Sequence, residues 1–179
     1  MSDEGPIRDD WPARLGRAML FGAWVSGLAS LGLFFHQWLE RDHNPNPHPL
    51  SLQGADGVVE VTLRRNRAGH YVASGKINGE PVRFLIDTGA TEVALSLDLA
   101  QRLDLRLGPE GTSHTANGIT RAWPTRLARV ELGDLVAHGV RASVLPNMPD
   151  DEVLLGMSFL KPLELIQRGD TLTLRGQLP

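Results

Sequence analysis

The chain has 179 residues, with 18 Lys and Arg against 21 Asp and Glu for a formal net charge of −3, and it contains no cysteine. That length holds one domain with additional segments. The charge balance leaves no basic footprint for nucleic acid. The missing cysteines exclude disulfides, thiolate catalysis and Cys-based zinc sites.

Residues 18–35, AMLFGAWVSGLASLGLFF, carry no charge. As a helix they span about 27 Å at 1.5 Å per residue, close to the roughly 30 Å hydrocarbon core of a bilayer, and Trp38 is placed to mark the far interface. The run is long for the apolar part of a cleaved signal peptide, and no A-x-A site follows it before Phe34-Phe35-His36. An apolar circumference suits lipid better than the core of a small domain. The expectation is an N-terminal transmembrane helix, an uncleaved single-pass anchor over residues 18–39, after a cytoplasmic segment over 1–17. Arg8, Arg14 and Arg17 precede the span and Arg41 lies close behind it. This bias orients the N-terminus inside and the remainder outside, which in a bacterium means the periplasmic face of the inner membrane. Ala18, Gly22, Ser26 and Ser30 recur every four residues. Such a stripe permits close approach of two helices, and it follows equally from the frequency of small residues in membrane spans.

Residues 40–57 include Pro45, Pro47 and Pro49 alternating with Asn and His. Proline at this density disfavours helix and sheet, so the segment is expected to be an extended, semi-rigid linker. His43 and His48 have no carboxylate or Cys partners at ligand spacing and read as solvated side chains, with no metal assigned.

Residues 58–179 read as an all-β domain. Val58–Leu63 has strand character, a turn falls around Asn66 to Gly69, and Tyr71–Ile77 and Pro81–Ile86 flank Asn78-Gly79, a strong hairpin signal. The second of these strands delivers Asp87, followed by Thr88, Gly89 and Ala90. Burying a carboxylate there requires hydrogen bonds, which Thr88 and Gly89 can supply from backbone N–H groups, and Gly89 eases a sharp reversal. Ser96 is placed to cap a short helix over Leu97–Leu103. Asn117-Gly118 centres a polar hairpin with no strong apolar face. Arg126–Leu132 and Leu135–Leu145 form strands about Gly133-Asp134. Val153–Leu155 then leads through Gly156 into a short helix, with strands near Leu163–Gln167 and Leu172–Leu174. Arg168-Gly169-Asp170 reads as a turn rather than an adhesion motif.

The succession hairpin, Asp87-Thr88-Gly89-Ala90, short helix, polar hairpin, Leu154-Leu155-Gly156 and closing strands resembles the retropepsin-like, retroviral-type aspartic proteases over about 120 residues. The combination is more specific than any one of its motifs. The resemblance implies a single-lobe acid-protease barrel with one or two short helices, here bacterial and membrane-anchored. It implies that Asp87 is catalytic and that Thr88 bonds across a dimer axis. Gly89 would let backbone approach the carboxylate, and Ala90 would edge the substrate site. Ala116, Asn117, Gly118 and Ile119 would form the tip of a flap, an ordinary surface hairpin being the other reading. Leu154, Leu155 and Gly156 would form the second motif, threaded beside the catalytic loop.

Aspartic proteolysis needs two carboxylates sharing one proton across a water, because two negative charges so close cannot both persist. The chain has one Asp-Thr-Gly, and Asp134, Asp150, Asp151 and Asp170 lie in turn-like contexts without a following Thr-Gly. A C2 homodimer would bring Asp87 to its symmetry mate. The implied function is a membrane-anchored endopeptidase acting on extended polypeptides, with no metal or organic cofactor. Two alternatives stay open, a catalytically silent peptide-binding module and a structural anchor for partners.

Overall fold

The computed structural model describes residues 11–54, 57–115, 118–149 and 152–177. The chain divides into two units, Met1–Arg41 and Asp42–Pro179. Helix α1, Trp11–His43, makes up the described part of the first and ends two residues into the second. It continues past residue 39, where the anchor was expected to end. The side chains over 19–35 are exposed throughout, including Phe21, Trp24, Leu28 and Leu33. Among the described residues no helix is long and apolar enough to cross a membrane.

The second unit is built from β1 (Leu50–Gln53), β2 (Val59–Arg64), β3 (Val72–Ile77), β4 (Glu80–Ile86), β5 (Val93–Ser96) and helix α2 (Leu97–Arg102). Then follow β6 (Gly111–Thr115), β7 (Gly118–Leu132), β8 (Leu135–Leu145), β9 (Val153–Leu155), helix α3 (Met157–Leu160), β10 (Glu164–Arg168) and β11 (Thr171–Gly176). The larger sheet runs β3-β4-β9-β5-β8-β7-β6 and closes on itself where Lys76 and Ile77 of β3 meet Glu131 and Val130 of β7. That pairing gives β3 a neighbour on the side where it would otherwise be an open edge. The smaller sheet, β1-β2-β11-β10, covers the same core with Val61, Leu63, Leu172 and Leu174. Phe84, Phe159, Leu95, Leu127 and Leu155 fill the centre, fully buried.

Local chemistry explains most of these elements. Asn78 and Gly79 both take positive φ, 52° and 91°, as a two-residue hairpin turn demands. The Asn78 side chain also accepts a hydrogen bond from the Arg129 N–H at 2.9 Å, tying that turn to β7. Ser96 Oγ accepts the Leu99 N–H at 3.1 Å and starts α2 as an N-cap. At the barrel seam Arg129 Nε lies 2.9 Å from Glu131 Oε1. That hydrogen bond holds the Glu131 carboxyl below the ordinary carboxylate range and raises the Arg129 guanidinium.

Three expectations are corrected. The proline-rich segment is not an independent spacer. Asn46 is 6 % exposed and bridges to Ala73, and residues 50–53 pair with β2 as strand β1. Prolines alternate there with residues whose polar groups are used, so the chain is held extended without forfeiting the bonds that count. Secondly, β7 starts at Gly118 and not at Arg126. Pro124 pairs opposite Ser143, and its carbonyl accepts the Gly108 N–H at 2.8 Å, so a residue that normally argues against a strand is tolerated inside one. Thirdly, the polar hairpin closes at Thr115–Gly118, one residue ahead of the Asn117-Gly118 centre, with Thr115 Oγ1 donating to the Gly118 carbonyl at 2.8 Å.

Candidate active site

Strand β4 carries the chain to Asp87, and the loop over residues 87–92 returns it into β5. Between those two arms lies β9. It runs parallel to β4, with Phe84, Leu85 and Ile86 opposite Val153, Leu154 and Leu155, and it meets β5 at Ala94–Leu154. The loop bearing the carboxylate is therefore straddled across the second motif, and the two are stitched together. The Asp87 N–H donates to the Leu155 carbonyl at 3.2 Å, and the Met157 N–H donates to the Ala90 carbonyl at 2.8 Å.

Gly156 explains why this crossing needs a glycine. A Cβ built there would stand 2.7 Å from the Ala90 carbonyl oxygen and closer still to that of Glu92. Both are backbone atoms, so any side chain at that position would force the loop and β9 apart.

The carboxylate itself is half-buried. Its Oδ1 accepts the Gly89 N–H at 2.8 Å, and the Ala90 N–H donates to the Asp87 carbonyl at 3.3 Å. The loop thus turns on its own amides and orients one carboxylate oxygen by a charge-assisted bond. Thr88 and Gly89 are exposed, and Ala90 is half-buried. Gly89 packs close enough that a Cβ would meet Asp87 Oδ1 at 3.2 Å.

Asp87, Thr88, Gly89 and Ala90 are thereby brought beside Leu154, Leu155 and Gly156. The hairpin expected to act as a flap is β6 with the start of β7, Gly111 lying opposite Ala122 and Thr115 opposite Gly118 at the end of the sheet order. Gly118 has φ +107° and Ile119 is 68 % exposed. Ala116 and Asn117 lie outside the described residues.

Two sets of residues had no signal in the sequence. One braces the loop. Ser158 Oγ accepts the Val93 N–H at 3.0 Å and donates to the Arg141 carbonyl at 2.7 Å, while Glu92 takes a hydrogen bond from Ser143 Oγ at 2.9 Å and pairs with Arg141 Nε at 3.4 Å. The other is an apolar floor. Ala94, Ala122 and Leu145 form a small buried cluster with Met148 and Leu154, separate from the main core. Leu85 faces Leu154 in the ladder, and strand alternation sends Asp87, two residues on, toward the same face. The spacing of Leu85 from Asp87 is the one local clue to this floor; Ala94, Ala122, Leu145 and Leu154 come together from four different strands. Among the described residues no three acidic or His side chains converge as a metal site requires.

Residues 73–162 match the family described as "gag-polyprotein putative aspartyl protease", and the chain belongs to that family. It is 35 % identical over 128 residues to an uncharacterized protein in the cobV 5' region of Sinorhizobium sp., an alignment covering 69 % of this chain and 55 % of that protein. It is 34 % identical over 114 residues to an uncharacterized protein of Rickettsia prowazekii (strain Madrid E), covering 62 % and 48 %. The chain thus spans about half the length of the curated relatives it matches. In structure it is similar to the crystal structure of a retropepsin-like aspartic protease from Rickettsia conorii, with a TM-score of 0.55 and 31 % identity over 64 % of this chain and 97 % of that one. The second unit therefore has the mostly β retropepsin-like fold with two short helices, α2 and α3.

Proposed function

We propose that the protein is a membrane-anchored aspartic endopeptidase that works as a homodimer, with Asp87 from each of two copies flanking one water. The observation that carries this reading is the single Asp87 held at the mouth of a threaded loop, its orientation set by the Gly89 N–H and its neighbourhood by Leu154-Leu155-Gly156. In that arrangement the ionised carboxylate takes a proton from the water, whose oxygen attacks the scissile carbonyl carbon. The protonated carboxylate gives its proton to the carbonyl oxygen. Collapse of the tetrahedral intermediate breaks the C–N bond and passes a proton to the leaving amine.

Thr88 is assigned to hold the two loops together across the dimer axis, and Ala116, Asn117, Gly118 and Ile119 to the tip of a flap over the substrate. The floor of Leu85, Ala94, Met148 and Leu154 favours apolar side chains next to the scissile bond. An extended polypeptide suits a cleft between two subunits, where backbone hydrogen bonds bind a strand. Residues 18–39 serve as the anchor in this reading. The uncharged run over residues 18–35, exposed over 19–35, supports it, and the arginines preceding it favour a protease domain on the periplasmic face of the inner membrane. Confining two copies to one bilayer raises their effective concentration and favours the dimer.

The test compares the full chain in lipid vesicles with Asp87→Asn, following cleavage of an unfolded protein from acid to neutral pH. Wild type is expected to cleave and the variant to fall to background. Titrating the inactive variant into wild type is expected to suppress activity through mixed dimers. Cleavage retained by Asp87→Asn refutes the catalytic assignment, and activity indifferent to excess variant refutes the dimer. No cleavage by wild type, with binding of unfolded peptide intact, identifies a silent binding module.

A further inference from the structure

The segment between α1 and the barrel was expected to be an extended, semi-rigid linker, and it is instead hydrogen-bonded into the second unit. Asn46 Nδ2 donates to the Arg64 carbonyl at 2.8 Å and to the Val72 carbonyl at 2.7 Å, and its Oδ1 accepts the Arg64 N–H at 2.7 Å. Its main chain accepts the Ser74 N–H at 3.0 Å and donates to Asn44 Oδ1 at 3.0 Å. Asn44 Nδ2 in turn donates to Ser74 Oγ at 2.9 Å, and the His43 carbonyl accepts from Asn66 Nδ2 at 3.0 Å. Because β1 pairs no further along β2 than Thr62, the backbone of Arg64 needs another partner, and the Asn46 amide takes the place of a neighbouring strand. The pin lies three positions beyond the last residue of α1.

We infer that this clamp removes the slack from the tether, so that the protease cuts polypeptide segments close to the membrane in which its own helix sits. The inference deepens the proposed function and rests on its anchor and its catalytic site. Residues 36–43 continue α1 and add about 12 Å beyond the apolar stretch. The chain from His43 to Asn46 adds at most about 10 Å. A domain the size of residues 42–179 has a radius of gyration near 14 Å and is about 40 Å across. The cleft therefore lies within about 60 Å of the apolar stretch, a bound set by chain length for every arrangement of helix and domain. A free proline-rich spacer over 40–57 would itself have reached about 56 Å at 3.1 Å per residue and carried the cleft out to roughly 100 Å. The substrate class that fits is the juxtamembrane region of another protein in the same bilayer, within about 20 extended residues of its span. Co-confinement in the bilayer supplies the effective concentration that free proteins lack.

The experiment places the full-length protein in vesicles with single-span reporters carrying one cleavable apolar segment. The segment sits either directly after the span or beyond a rigid helical spacer of about 60 residues, which extends about 90 Å. Proximal cleavage is expected to exceed distal cleavage at least tenfold. A flexible Gly/Ser insertion of about 30 residues between Asp42 and His43, which leaves the clamp intact, is expected to bring the two rates within about twofold. Equal cleavage of both reporters by the native chain overturns the inference. So does failure to cut the proximal reporter while a soluble unfolded protein is cut. Cleavage of no substrate at all refutes the protease reading, and failure to float with vesicles refutes the anchor; either removes this inference as well.

Discussion

Gly156→Ala tests whether the threading of β9 through the Asp87 loop holds the site together. The Gly156 backbone, at φ −89° and ψ −172°, is one that alanine adopts freely, so any cost comes from packing alone. The added methyl would stand 2.7 Å from the Ala90 carbonyl oxygen and the Glu92 carbonyl carbon, with the Glu92 oxygen nearer still. Relief requires the loop and β9 to separate by about 1 Å, which strains the Met157–Ala90 and Asp87–Leu155 hydrogen bonds together. Two weakened backbone bonds at about 1 kcal/mol each, with overpacking strain added, give a destabilisation of about 3 kcal/mol. A shift of that size at the carboxylate lowers cleavage by about 10²-fold. Gly89→Ala is the contrast, since its methyl meets only the Asp87 carboxylate oxygen at 3.2 Å. Its expected loss of stability is under about 1 kcal/mol, with the fall in activity far larger than the fall in stability. Urea unfolding followed by far-UV circular dichroism and initial rates of peptide cleavage, measured on both variants, decide the matter. A Gly156→Ala protein within about 0.5 kcal/mol of wild type and fully active would show that the crossing does not hold the site together.

Two further outcomes follow from bonds outside the loop. Asn46→Ala removes three side-chain hydrogen bonds, one buried and two part-buried, and is expected to cost about 3 kcal/mol, lowering Tm by about 10 °C; a fragment beginning at residue 56 should be weaker than one beginning at residue 42 for the same reason. A thermal melt of Asn46→Ala superimposing on wild type would remove the clamp from the account. Glu131 has its carboxyl held below its ordinary value by Arg129, so its contribution is complete above the unfolded-state value and lost as pH falls through the folded one. Glu131→Gln should lower the unfolding midpoint modestly at neutral pH and converge with wild type in strong acid. A difference that persists or grows in acid would contradict that sign.

What the sequence determined was local. Asn78-Gly79 adopts the positive φ pair of a two-residue turn, Ser96 caps α2 through its own hydroxyl, and alternation in β2 and β4 buries Val61, Leu63 and Phe84. Each outcome depends on residues within a few positions of one another, where dihedral preference and side-chain period suffice. The motif residues Asp87-Thr88-Gly89-Ala90 and Leu154-Leu155-Gly156 stood out through their resemblance to a protease family's motifs, each of which is contiguous in the chain. The tertiary structure decided everything that depends on pairing across distance. It inserts β9 between β4 and β5, although 66 positions separate Asp87 from Val153. It sets Ser158 under Val93 and Arg141, gathers Ala94, Ala122, Leu145 and Met148 into one floor, and lets β7 run through Pro124. Above all it turns a proline-rich stretch into a clamp. Proline disfavours a helix there, but the partners of Asn46 stand at Arg64, Val72 and Ser74, on β2 and β3, 18 to 28 positions along the chain.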